Sequence, residues 1–393
     1  MPPYIVSSKI IPPLVLPIFS LTVFFIGAME FMLSPMLNPL AEAFKTTTEK
    51  ATWLVSGYAF AYACTAPIFG WLSDRINRRK LLLISLFFLS FDGLALTIAP
   101  NLEIAIGLRL FGGMASAALI PTIFALIADI FPSHKQASAM GIVMLGMTAG
   151  IVGGPMVAGV LTELCHWRLP FWVNAAGCLL LFFLILNKQG ISRPANAGMK
   201  KEKTSISFQW IRQGNLLRPL LAKGCWNGTA VSAFILSGEI LRQHYGLGTG
   251  VIGISVSAFG IGLGLGNLAV SMLKRLSVNK ERALLWAIVF ILLTSSAFIS
   301  ISFSLFFSLA CLMLWGCALG FAAPVSTSIL TERAENNKGQ ILAVSESLNN
   351  LVILLLIPTA TLLLARYGTA VTMVMLGSCL MIGIGLTIRD LNR

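Results

Sequence analysis

The sequence predicts an all-α integral membrane protein with twelve transmembrane helices in two pseudo-symmetric six-helix bundles. Of its 393 residues, 56% are hydrophobic and 11% are charged, whereas soluble domains are ~45–50% apolar. Its 35 glycines are spread through the apolar segments, as in closely packed membrane helices. Long apolar segments alternate with short, mostly basic loops, which is the pattern of a multi-pass membrane protein.

Twelve apolar segments are each about long enough to cross ~30 Å of hydrocarbon at ~1.5 Å per residue. In chain order, we expect them near residues 14–36, 52–72, 81–99, 104–126, 138–161, 169–187, 219–238, 250–273, 283–302, 304–327, 340–363 and 368–388. The first segment is longer than the apolar core of a signal peptide and contains Glu30 and Pro35. We therefore expect it to remain in the mature protein.

The positive charges lie mainly on one side of the predicted membrane. With the N-terminus inside, 22 of the 28 Lys and Arg residues fall on the cytoplasmic side, five fall outside and one, Arg109, lies within a span. The net charge of +13 therefore follows the positive-inside rule and does not indicate nucleic-acid binding. We expect a protein of the bacterial inner membrane with both termini in the cytoplasm.

A long polar stretch near the middle of the chain predicts the domain organisation. Residues 1–189 form the N-terminal bundle, residues 190–217 a cytoplasmic central loop, and residues 218–393 the C-terminal bundle. A shift of 196 residues places Arg78-Arg79 on Lys274-Arg275, so the halves resemble parallel repeats. Transporters built from such repeats place the substrate site between the halves near the middle of the membrane.

The densest charge lies in the hairpin between the second and third spans. Its sequence, from Gly70 to Lys80, resembles the loop signature of the major facilitator superfamily, with Asn77 in place of the usual glycine. The resemblance implies a charge-linked latch at the end of the second span that opens during transport. As an alternative, the positive residues could serve only to keep this hairpin on the cytoplasmic side of the membrane. The residues that the resemblance implicates in conformational change are Gly70, Asp74, Arg75, Arg78 and Arg79.

Two further segments resemble the same family. Residues 108–113, in the fourth span, are similar to its arginine-bearing motif, and residues 146–159, in the fifth span, are similar to its antiporter motif. Together with Met29-Glu30-Phe31 and Trp167-Arg168-x-x-Phe171, they resemble the 12-span drug:proton antiporter branch. The resemblance implies a bent fifth helix at the interface of the halves, although close helix packing would also explain its small residues. The residues concerned are Gly150, Gly154, Pro155 and Gly159.

We single out four charged residues inside predicted apolar spans: Glu30, Asp92, Arg109 and Glu346. Burying such a charge costs at least ~2.5 kcal/mol, so each is a functional hypothesis by default. We expect all four to take part in proton coupling. The resemblance places an acid in the first span, so Glu30 is the first candidate for binding both the proton and a cationic substrate. A structural hydrogen bond for Glu30 and outward snorkelling for Arg109 are the alternatives.

Uncharged candidates for substrate contact lie in the second and eleventh spans. Tyr58 and Tyr62 are one helical turn apart, and Asn349 and Asn350 belong to a polar stripe beside Glu346. Helix packing or lipid contact would explain the aromatic residues equally well.

The sequence contains no signature of an enzyme, a metal site or a nucleotide-binding loop, so we expect no cofactor. The resemblance implies a secondary active transporter. Its expected mode is proton-coupled antiport, exporting drugs or a secreted metabolite such as a siderophore or sugar. The expected partners are that small-molecule substrate, protons and the lipid bilayer, without nucleic acid, and the family expectation is a monomer. An uptake permease, either symporter or uniporter, and a non-transporting receptor or scaffold are the alternatives.

Overall fold

A computed structural model describes residues 14–72, 76–187, 213–275, 279–334 and 338–391, which fold into helices α1 to α14. The N-terminal half contains α1 (Val15–Phe31), α2 (Leu33–Ala43), α3 (Thr48–Ala51), α4 (Trp53–Leu72), α5 (Arg78–Ile98), α6 (Leu102–Ile130), α7 (Ser133–Leu164) and α8 (Leu169–Asn187). The C-terminal half contains α9 (Gly214–Ile235), α10 (Ser237–Tyr245), α11 (Thr249–Arg275), α12 (Lys280–Ser300), α13 (Leu305–Arg333) and α14 (Lys338–Leu391).

Length and composition allow eight of the helices in these ranges to cross a membrane, or nine if the bent pair α1 and α2 is one span. That pair is bent by 54° at Met32. A second break, at Leu236, separates α9 from α10. The all-helical membrane fold is confirmed, and the helices are consistent with the twelve predicted spans.

The longest helix, α14, accounts for the eleventh and twelfth predicted spans. It runs for 54 residues but is interrupted at Gly368, where φ is 79° and ψ is −171°. Glycine suits this position because a positive φ is strained for residues with a Cβ atom. The turn lies at the start of the twelfth span predicted from the sequence.

The helix starts correct the register of the internal repeat. The side chain of Asn77 caps α5 by accepting hydrogen bonds from the backbone amides of Arg79 and Lys80. Asn279 caps α12 in the same way, as asparagine commonly does at the start of a helix. These caps are 202 residues apart, so Lys280 is the counterpart of Arg78. Lys274, which the shift of 196 residues matched to Arg78, lies at the end of α11. The shift of 196 residues does relate the start of α4 at Trp53 to the start of α11 at Thr249. It fails at the basic residues that follow, because α11 is longer than α4.

The helices pack into two groups that meet along a long interface. In the first half, α1 packs on α7, α4 on α6, and α5 on α6 and α8. In the second half, α9 packs on α14, and α13 on both α11 and α12. Between the halves, α7 lies against α11, α4 against α14, and α2 against α10. This interface brings the intramembrane charges of both halves towards one space.

Candidate functional site

Arg109 and Asp92 form a buried ion pair between α6 and α5. Nη1 of Arg109 lies 2.5 Å from Oδ2 of Asp92, and the two side chains are 1% and 0% exposed. Nε of Arg109 also donates to the carbonyl of Leu54 at 3.4 Å, and the guanidinium lies 4.7 Å from the centroid of the Tyr58 ring. The pairing explains how an apolar span contains an arginine, because the nearby opposite charge offsets part of the cost of burial. Arg109 therefore does not snorkel outwards.

The two glycines that follow Arg109 make space for this pair. A Cβ atom on Gly112 would lie 2.6 Å from Cγ of Asp92, and one on Gly113 would lie 3.0 Å from the carbonyl carbon of Tyr58. Both distances are too short for real side chains, so α6 approaches α5 and α4 only because these residues lack a side chain. The motif at residues 108–113 thus combines a charge with the small residues that admit its partner.

Glu30 lies in the last turn of α1, two residues before the break at Met32. It is partly buried, and it forms no ion pair within 4 Å among the residues that the structure describes. Its charge interacts over a longer range with those of Arg109 and Glu346. Because Arg109 is on α6 and Glu346 on α14, Glu30 lies between the two bundles.

A second intramembrane ion pair joins α9 to α14. Nζ of Lys223 lies 3.2 Å from Oε1 of Glu346 and also donates to Oγ1 of Thr327 at 3.3 Å. The side chain of Lys223 is 3% exposed, whereas that of Glu346 is 42% exposed. The carboxylate of Glu346 is therefore the accessible end of the pair, and the ammonium group of Lys223 is buried.

Lys223 was missed as a site residue, and its assignment to the cytoplasmic surface was wrong. The charge count placed it with the basic residues of the central loop, but α9 begins at Gly214 and carries Lys223 more than two turns into the helix. The available signal was its position inside the predicted seventh span, near residues 219–238. Asp92, by contrast, was recognised as an intramembrane acid, but its pairing with Arg109 was not predicted.

The structure brings the two candidate tyrosines to this cluster. Tyr58 and Tyr62 are buried, with ring centroids 6.4 Å apart. Tyr58 lies against the guanidinium of Arg109. The carbonyl of Ala63, next to Tyr62, accepts a hydrogen bond from Ser347, next to Glu346. These side chains therefore border the space that Glu30 and Glu346 share.

The two candidate asparagines are held by bonds within the C-terminal half. Asn349 accepts a hydrogen bond from Nδ2 of Asn227 at 2.9 Å. Asn350 donates from Nδ2 to the carbonyl of Glu346 at 3.0 Å, one turn earlier in α14. Both are buried, but only the bond of Asn349 joins α14 to another helix, α9.

The residues of the fifth-span motif contact two different helices, α1 and α11. Gly150 and Gly154 pack on α1, where a Cβ atom would lie 2.9 Å from the amide nitrogen and 2.6 Å from the Cα atom of Ala28, respectively. Gly159 instead faces α11, and a Cβ atom there would lie 2.5 Å from the carbonyl oxygen of Thr249. The carbonyl of Pro155 faces Gly253 of the same helix. The first two glycines thus belong to the N-terminal bundle, and the later part of the motif borders the other bundle.

Polar contacts hold the bundles together at the C-terminal end of α7 and at the starts of α2 and α10. Glu163 accepts a hydrogen bond from the amide of Gly250. Ser34, just after the break in the first span, lies 3.2 Å from the hydroxyl of Ser237 and accepts from the amide of Gly238 at 3.3 Å. Each of these contacts joins one half of the chain to the other.

The described part of the charged hairpin is tied to neighbouring helices of its own bundle. Nη1 of Arg78 lies 2.5 Å from Oδ2 of Asp129 at the end of α6. Nη2 of Arg79 donates to the carbonyls of Ile185 and Leu186 in α8, both at 2.9 Å. Gly70 lies in the last turn of α4. Asp74 and Arg75 fall outside the described residues.

The C-terminal half carries related ion pairs where α12 begins and where α13 and α14 end. Lys280, the counterpart of Arg78, pairs with Glu332 near the end of α13. Arg333 pairs with Glu281 at 2.5 Å and with Asp390 at 2.7 Å. These contacts join the ends of α12, α13 and α14.

Curated relatives match parts of the chain. The uncharacterized MFS-type transporter YceJ of Bacillus subtilis is 34% identical over 169 residues, which are 43% of this chain and 43% of that protein. A triacylglyceride transporter of Mycolicibacterium hassiacum is 34% identical over 138 residues, or 35% and 26% of the two chains. The quinolone resistance protein NorA of Staphylococcus aureus is 29% identical over 131 residues, or 33% and 34%. The matched region spans less than half the length of each relative.

Solved structures and a family model cover far more of the chain. A bacterial homolog of the human lysosomal transporter Spinster, in an inward-facing and occupied conformation, superimposes with a TM-score of 0.73 at 14% identity over 96% of both chains. Its inward-facing, unoccupied form gives a TM-score of 0.70 at 17% identity, over 97% of this chain and 95% of that one. The Major Facilitator Superfamily model matches residues 19–357. The chain therefore belongs to the Major Facilitator Superfamily and is a multi-pass membrane transporter, not an enzyme.

Proposed function

We propose that this transporter is a proton-coupled antiporter that exports small amphipathic molecules, with Glu30 as the group that binds either the proton or a cationic substrate. One observation carries the proposal. Glu30 is an intramembrane carboxylate without an ion pair in the described ranges, and it lies between charges that belong to opposite bundles.

The coupling follows from electrostatics. An uncompensated negative charge in a low-dielectric environment is costly, so Glu30 gains from binding either a proton or a cation. Protonation removes the negative charge that attracts the cation, and a bound cation disfavours protonation, so the proton and the substrate compete. If each binds when the site faces a different side, the proton gradient drives the substrate the other way.

The other intramembrane charges have supporting roles in this proposal. Asp92 and Arg109 neutralise each other, and Arg109 retains a long-range interaction with Glu30. Tyr58 and Tyr62 offer aromatic surface beside the acid, which suits lipophilic cations. Asn349 positions α14 against α9 through its hydrogen bond with Asn227.

Alternating access would occur by rocking of two bundles, residues 1–189 and 218–393, joined by the cytoplasmic loop 190–217. The contacts at Gly159 and Glu163 would close the outer side. Asp74 and Arg75 would complete the cytoplasmic latch with Arg78 and Arg79. We place the protein, as a monomer, in a bacterial inner membrane with both termini in the cytoplasm. The drug-resistance name of the similar protein NorA supports export.

The test is transport in liposomes that contain a trapped pH-sensitive dye. A gradient of each compound from a panel of lipophilic cations, siderophores and sugars is imposed, and proton movement is recorded. Glu30→Gln is compared with Glu42→Gln, which makes the same chemical change at an exposed acid on α2 of the same bent span.

The expected result is proton movement opposite to substrate flux in the wild type and in Glu42→Gln. In Glu30→Gln, coupled movement should fall to the level of liposomes without protein. Protons moving in the same direction as the substrate would instead make the protein a symporter. Substrate flux without proton movement would make it a uniporter and leave Glu30 with a structural role.

A further inference from the structure

The charges in the middle of the membrane leave one negative charge uncompensated. Among the described residues, the charged side chains within the spans are those of Glu30, Asp92, Arg109, Lys223 and Glu346. Asp92 pairs with Arg109, and Glu346 with Lys223. Only Glu30 has no partner within ion-pair distance in these ranges, so its negative charge is the net charge of the site.

Lys223 is firmly held in its pair. It bonds to both Glu346 and Thr327, and the adjacent helices are closely packed. A Cβ atom on the next residue, Gly224, would lie 3.1 Å from Cβ of Leu348, and one on Gly228 would lie 2.7 Å from Cβ of Val352. Lys223 and Glu346 therefore lie on two tightly packed helices of one bundle, so rocking of the bundles does not separate them.

Glu346 is the accessible member of the pair. Its side chain is 42% exposed, and its charge interacts with Glu30 and Tyr62. A substrate bound at Glu30 would therefore also encounter this carboxylate. The buried ammonium group of Lys223 already compensates the charge of Glu346, which reduces its attraction for a second positive charge.

We propose that Lys223 is a specificity-determining residue: by neutralising Glu346, it restricts the transporter to substrates with a single cationic centre. This inference rests on the proposed role of Glu30 in cation recognition. Lys223 acts through Glu346 and is a positioning residue, not a substrate contact. Removal of its charge would leave two uncompensated carboxylates, Glu30 and Glu346, around one space, which suits a dication.

The experiment compares two lipophilic phosphonium probes of matched size in the liposome assay. One probe is tetraphenylphosphonium, with one charge, and the other is a bis-phosphonium with two. The readout is the ratio of dication to monocation transport, which a purely structural role of Lys223 would not change. The variants are Lys223→Gln, Lys223→Met, Lys223→Arg and the double variant Lys223→Gln/Glu346→Gln.

The wild type should transport the monocation and exclude the dication. Lys223→Gln and Lys223→Met should each raise the dication-to-monocation ratio at least about tenfold, since an opposing charge is removed near the site. Lys223→Arg keeps the charge and should keep the wild-type ratio. The double variant removes both charges and should return to that ratio.

The inference is overturned if the wild type transports both probes equally. It is also overturned if folded Lys223→Gln or Lys223→Met transports the monocation but still excludes the dication. The wild-type comparison needs no variant, and the two replacements differ in polarity, so a folding defect in one leaves the test intact. A wild type that transports both probes with protons moving oppositely would reject this inference and retain antiport. Transport without proton movement would reject the antiport proposal itself.

Discussion

The carboxylate of Glu163, at the C-terminal end of α7, accepts a hydrogen bond from the amide of Gly250 in the first turn of α11. The bond crosses between the bundles. It also places a negative charge at the positive end of the α11 dipole. Gly250 and Gly248 lie close to the carboxylate, because a Cβ atom on either would come within 2.8 Å and 3.0 Å of its oxygens, respectively.

We predict that Glu163→Gln weakens closure of the outer side by about 0.5–1.5 kcal/mol, because a charge-assisted bond to a helix N-terminus is replaced by a neutral one. The population open to the outside should rise by about two- to tenfold. The measurement is the distance distribution between spin labels at Leu164→Cys and Gln243→Cys, both exposed positions, in a background without other cysteines.

Glu103→Gln is the matched control for this measurement, because Glu103 is an exposed acid in the first turn of α6. Its distance distribution should equal that of the parent protein. Equal distributions for Glu163→Gln and the parent would show that this bond does not hold the outer side closed.

The space beside Gly112 provides a second prediction. Gly112→Ala should destabilise the protein by about 1–3 kcal/mol, because its methyl group would overlap the carboxyl of Asp92 and overpacking costs this much. The control is Gly107→Ala on the same helix, where a Cβ atom would meet nothing within 4 Å. Melting temperatures of the purified variants in detergent test the difference. Equal losses in both variants would contradict the assigned role of Gly112.

The buried pair of Asp92 and Arg109 can be tested by a double-mutant cycle. Asp92→Asn leaves the buried arginine unpaired, and Arg109→Gln leaves the buried carboxylate unpaired. Each change should therefore lower the free energy of unfolding by about 3–5 kcal/mol. The variant with both changes should be more stable than either single variant, because no charge remains unpaired. Unfolding in denaturant measures the coupling. Additive losses would show that the two charges do not stabilise each other.

The ion pairs of Arg333 at the end of α13 provide a fourth prediction. Arg333→Gln removes the contacts with Glu281 and Asp390, so the ends of α12, α13 and α14 lose a common partner. Melting temperature in detergent should fall more than in Arg282→Gln, which changes an exposed arginine in the same region. The expected loss is about 1–3 kcal/mol, since charge-assisted bonds of a partly buried network are removed. An identical melting temperature for the two variants would contradict a stabilising role for the ion pairs of Arg333.

The sequence was sufficient to predict the spans because hydropathy over some twenty residues depends on composition alone. It also made Glu30 and Arg109 candidate site residues, since a charge is conspicuous in an apolar span. It was not sufficient to pair Arg109 with Asp92. That contact depends on the distance between α5 and α6, which can be short because Gly112 has no side chain. The spacing of residues along the chain does not reveal this distance. Lys223 was missed for a related reason: a lysine near a span end is ambiguous until the start of its helix is known.

The serine contact at the outer side links the two broken spans at equivalent points of the repeat. Ser34 follows the break at Met32, and Ser237 follows the break at Leu236. Each half of the transporter thus contributes a short outer helix that is hinged on a longer inner one. Because α2 and α10 are bonded to each other, a change in the angle at one break would shift the helix that follows the other.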